Sequence, residues 1–137
     1  MERSPELEEL TLRMYEAFSR GDSAFIEGLM SRREGVLTIG TDPDEWWGDY
    51  ASLTRALRAQ LEELARASIV PGAPRAYREG SVGWVADRAK FRLPDGAEVP
   101  FRTTAVFHQE AGEWRLVQWH TSLGVPNEQA VGKQLTV

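Results

Sequence analysis

The chain contains no cysteine and only two histidines in 137 residues, which excludes disulfide cross-links and thiolate catalysis. No apolar run is long enough to span a bilayer and none opens the chain, which argues against membrane insertion or secretion and gives a cytoplasmic expectation. Basic residues are not in excess. The formal net charge is -5, opposing broad attraction to nucleic acid or anionic lipid. Internal repeats, low-complexity tracts and linkers are also missing, so residues 1–137 are expected to form one domain around one core.

What is present reads first as helices. Leu7, Leu10, Met14, Ala17 and Phe18 recur at three- and four-residue spacing between a Ser4-Pro5 start and a Gly21 stop. Asp22 is placed to cap a shorter helix to about Ser31, and Leu53, Ala56, Leu57, Leu61 and Leu64 form the stripe of a third. Val36 to Thr41 reads as a strand. Residues 42–49 form a turn-rich loop carrying Trp46 and Trp47, and residues 69–79 form a strand broken by Pro71 and Pro74.

The C-terminal half alternates with the period of β-strands. Ala111-Gly112 suits the tip of a tight hairpin, and an unbroken register pairs Phe107 with Leu116, Ala105 with Gln118, Thr103 with His120 and Phe101 with Ser122. Leu93-Pro94-Asp95-Gly96 suits a bulged turn that pairs Phe91 with Val99, Asp87 with Thr103 and Val85 with Ala105. Asp87, Thr103 and His120 then share one row on an apolar face. Asp87 has two readings: an acid at the strand's frayed or bulged edge or bonded structurally to a neighbouring hydroxyl, or one member of an acid–base pair with His120. Ser122, His120 and Asp87 do not suggest a hydrolase triad, because residues two apart on a strand lie about 6–7 Å apart. Metal and cofactor binding are not expected. His108 and His120 fall on opposite faces, and Asp42, Asp44 and Glu45 lack the glycine and distal glutamate of a calcium loop.

Three helices and one strand followed by a run of antiparallel strands give an α+β pattern, with helices over one face of a curved sheet. The segment Trp114-Arg-Leu-Val-Gln-Trp-His120-Thr-Ser122, preceded by Thr104-Ala-Val-Phe-His108, resembles the final strands of the nuclear transport factor 2-like superfamily. Gly40-Thr41 at a strand end and Gly48 before the third helix fit the same resemblance. Within that superfamily the chain is most similar to the SnoaL-like group and to the calcium/calmodulin-dependent kinase association domain. The resemblance implies a conical α+β barrel with a strongly curved, mainly antiparallel sheet. It also implies a pocket under the helices and dimerisation through the outer sheet face. Relatives include ketosteroid isomerase, cyclases, dehydratases and domains that only bind or assemble.

The expected ligand is a small, mostly apolar, oxygen-bearing molecule. Asp87, Thr103, Gln118 and His120 would floor its pocket, with Phe101, Ser122 and Tyr15 adjoining and Trp46 or Trp47 as a lid. Should chemistry follow binding, it is expected to be isomerisation, cyclisation or dehydration with His120 and Asp87 as acid and base. The rival reading is a non-enzymatic dimerisation or regulatory module, and a third, anion binding, needs Arg88 and Arg102 to face inward. Trp84, Val106, Val117 and Trp119 fall on the outer face, rimmed by Arg88, Arg102, Arg115 and His108, and are expected to form a homodimer interface.

Overall fold

A computed structural model describes residues 1–137. Its elements are β1 (Glu2–Arg3), α1 (Pro5–Arg20), α2 (Ser23–Leu29), β2 (Leu37–Ile39), β3 (Trp46–Trp47), α3 (Tyr50–Glu63), β4 (Ser68–Val70), β5 (Arg75–Glu79), β6 (Val82–Arg92), β7 (Glu98–Glu110), β8 (Glu113–Ser122) and α4 (Asn127–Val131). The helix starts follow from their capping chemistry. Side-chain oxygens of Ser4, Asp22 and Asp49 accept from the amides of Leu7, Phe25 and Ser52, each satisfying a backbone donor that the first turn leaves unpaired. Glu27 on α2 is buried and pairs with Arg58 on α3 at 2.6 Å, joining the two helices.

The sheet runs β1-β5-β6-β7-β8-β2-β3, with β4 paired to β6 beyond β5. All pairs are antiparallel except β2 with β8. Its end strands do not pair with each other, so the sheet curls without closing. Leu7 and Met14 of α1 pack with Leu29, Leu53, Val85 and Phe107 in the main core, which places the first three helices over the concave face. No helix is long and apolar enough to cross a membrane.

The β6–β7 register is as expected from its turn: Phe91 faces Val99, Asp87 faces Thr103 and Val85 faces Ala105. The β7–β8 register is not. Ala111 and Gly112 adopt φ of 51° and 79°, as a tight hairpin tip requires, and Phe107 does face Leu116. A bulge then intervenes at Val117. Val106 faces Gln118, Ala105 faces Trp119, Thr104 faces His120, Thr103 faces Thr121 and Arg102 faces Ser122. One extra residue on β8 turns every later side chain to the other face. Trp119 and Thr121 therefore point inward, whereas Gln118, His120 and Ser122 belong to the outer face. The row Asp87-Thr103-His120 is corrected to Asp87-Thr103-Thr121.

Candidate functional site

Asp87 is buried on the inner face of β6 and is fully engaged. Its Oδ2 accepts from the Tyr15 hydroxyl at 3.1 Å and the Gly72 amide at 3.1 Å, and its Oδ1 accepts from the Ala73 amide at 2.8 Å. Residues 71–74, with prolines at 71 and 74, separate β4 from β5 and pair with no residue of β6, and the carboxylate takes the place of the missing strand partner for the amides of Gly72 and Ala73. Gly72 permits this close seat, since a Cβ there would lie 1.9 Å from the Arg88 carbonyl oxygen and 2.7 Å from Asp87 Oδ1. Burial, then the Asp87 charge and its hydrogen bond, hold the Tyr15 phenol far above its ordinary pKa, so it serves as a proton-bearing donor. This arrangement is the structural reading of Asp87. His120 lies exposed on the opposite face, so the two groups expected as acid and base are separated by the sheet.

A mainly apolar cavity lies beside this cluster, between the concave sheet face and α3. Its volume is about 580 Å³. Its wall is mainly apolar, including Ile26, Leu57, Ile69, Phe101, Trp47 and Trp119. By register Trp47, Thr38 and Trp119 form one row across β3, β2 and β8. The Trp119 indole is fixed by its N–H, which donates to Thr103 Oγ1 at 3.0 Å; Thr103 donates in turn to the His120 carbonyl at 3.1 Å. Thr121 lines the cavity and lies 3.5 Å from Thr103, hydroxyl to hydroxyl. At the rim Glu45 accepts from Gln60 Nε2 at 2.7 Å and from the Asp42 amide at 2.8 Å.

Of the side chains expected to touch a ligand, the structure brings Phe101 and Trp47 to this wall. Trp46, its neighbour on a two-residue strand, is 64% exposed and points away. Tyr15 and Thr103 support the wall from behind, through Asp87 and Trp119 respectively. Gln118, His120 and Ser122 are removed by the bulge, and Trp119 moves from the expected dimer surface into the pocket. Arg88 and Arg102 face each other on the exposed outer side, so the inward-facing arginines that anion binding requires are not there. Sequence reasoning missed Thr38, Glu45, Gln60 and Thr121. One signal for Glu45 was available: Gly40 near a strand end marks a close approach, and a Cβ there would lie 2.7 Å from Glu45 Cδ.

Comparison with known proteins accords with this fold. No curated protein matches the chain. Among solved structures, a nuclear transport factor 2-like protein of unknown function from Pseudomonas putida shares 14% identity and a TM-score of 0.78, covering 95% of this chain and 91% of its own. A Streptomyces avermitilis protein, provisionally called a dehydratase of the same family, gives 15%, 0.76, 88% and 94% in the same order. A Shewanella frigidimarina protein, provisionally called a ketosteroid isomerase, gives 14%, 0.70, 83% and 92%. At these identities the likeness is one of fold. The profile of the SnoaL-like domain matches residues 7–126, from the first turn of α1 to just beyond β8, and the chain belongs to the SnoaL-like domain family.

Proposed function

We propose that the protein binds a small, mainly apolar molecule in the cavity between the sheet and α3. The single observation carrying this reading is the cavity itself, about 580 Å³ with a largely apolar wall and a few polar groups, the usual make-up of a ligand site. Isomerase, cyclase or dehydratase chemistry through His120 and Asp87 is not carried forward. The carboxylate is occupied by three donors and the imidazole is on the far side of the sheet. Phenylbutanol, an apolar body with one hydroxyl, is a suitable probe. It is expected to raise the melting temperature saturably, by the equivalent of about 2.7 kcal/mol at a hundred times its Kd. In Thr121→Trp, where an indole is built into the cavity, the shift should disappear. An equal shift in both proteins would place binding elsewhere.

We infer also that two copies pair through the outer sheet face. Tyr77, Trp84, Val106 and Gln118 form a row across four strands there, and Tyr77 is 38% exposed in the single chain. The charged rim and apolar centre support an isologous contact, now without Trp119. Light scattering at micromolar concentration should give twice the 15.4 kDa chain mass; a single-chain mass there removes the dimer.

A further inference from the structure

We infer that the cavity selects ligands whose polar end is a protonated amine, a deepening that rests on the small-molecule reading above. None of the side chains lining it is Lys, Arg or His, while Asp42, Glu45 and Glu63 stand on its wall. An anionic ligand would meet repulsion with no compensating cation. Glu45 is also built into place. Its side chain lies across Gly40, where a Cβ would be 2.7 Å from Glu45 Cδ and 2.8 Å from its Cβ. Gln60 and the Asp42 amide each donate to one of its oxygens. Both donors orient the carboxylate, and neither neutralises it. A carboxylate oxygen has two lone-pair directions, so each oxygen retains one for an incoming donor.

A second observation points to a ligand from inside the cavity. Thr38 lines it, is only 7% exposed, and its hydroxyl has no hydrogen-bond partner in the protein. The hydroxyl is not itself fully buried and keeps accessible surface, so it is available to a bound molecule. It sits between Trp47 and Trp119 in the cross-strand row, and Gly40 follows two residues along the chain, about 7 Å away. Indole faces attract cations as well as apolar groups. The wall thus combines an apolar body site, one free hydroxyl and an oriented carboxylate, which suits an aryl-alkyl amine.

Calorimetric titration with phenylbutylamine, phenylbutanol and phenylbutyrate tests this on the intact chain. The amine should bind at least tenfold more tightly than the alcohol, and phenylbutyrate most weakly. Glu45→Gln should bring the amine to within about threefold of the alcohol. In the wild type the amine's advantage should shrink between about 20 mM and 1 M salt, as an ionic contact at an open rim requires. If the alcohol binds and the amine gains nothing, or if the preference survives in Glu45→Gln, the inference falls while the cavity reading stands. If none of the three binds, the cavity reading falls and takes the inference with it.

Discussion

Replacing Asp87 by alanine is expected to lower the free energy of unfolding by about 3–5 kcal/mol, measured by urea denaturation at neutral pH. Three donors lose their acceptor at once: the Tyr15 hydroxyl and the amides of Gly72 and Ala73. A buried donor left unpaired costs about 1–3 kcal/mol, and the amides lie on an exposed strap that water can reach, which keeps the sum below three full penalties. Tyr15→Phe removes one donor and should cost about 2 kcal/mol. It should also change the alkaline limb. The folded-state pKa of Tyr15 is raised above an unfolded value of about 10, so the proton is held more tightly in the native chain. That contribution is complete below about pH 10 and declines as the pH climbs beyond it, and Tyr15→Phe should flatten the decline. A loss under about 1 kcal/mol in Asp87→Ala would mean that the carboxylate is not the anchor of the strap.

Trp119→Ala and His120→Ala are expected to differ sharply although they are neighbours. Trp119 packs against two of the hydrophobic clusters and donates to Thr103, so its truncation should cost about 3 kcal/mol and enlarge the cavity. His120 is exposed on the other face, and its truncation should fall within about 0.5 kcal/mol of the parent. Phenylbutanol binding should weaken at least tenfold in the first variant and stay unchanged in the second. Reversed costs would restore the unbulged register, with His120 inward and Trp119 on the outer face.

That contrast also marks where the sequence stops being legible. The helices could be read because Ser4, Asp22 and Gly21 announce their ends by chemistry that few other residues supply. The β6–β7 register could be read because Pro94 and Gly96 admit few turn geometries. The bulge at Val117 carries no such mark. A bulge residue in ordinary backbone conformation accepts any side chain, and Leu116, Val117 and Trp119 are apolar enough to fit either register. One hint lay in the side chains themselves: the unbulged register buries Gln118, His120 and Ser122 and exposes a tryptophan, which opposes burial preference at four positions. A structural role for Asp87 was legible in kind, because an acid on an apolar face needs hydrogen-bond donors to satisfy it. Its partners were not, since Gly72 and Tyr15 reach it from 15 and 72 residues away. The rim escaped notice for a similar reason. Glu45 and Gln60 meet only when the loop before α3 folds back over β2.

The five tryptophans offer the most direct measurement of where a ligand sits, because each indole N–H gives its own nuclear magnetic resonance signal. On titration with phenylbutanol, the signals of Trp47 and Trp119 should move saturably and together, while Trp84 on the outer face stays fixed. Saturable movement of Trp84 with Trp47 and Trp119 unchanged would contradict a ligand site between the sheet and α3.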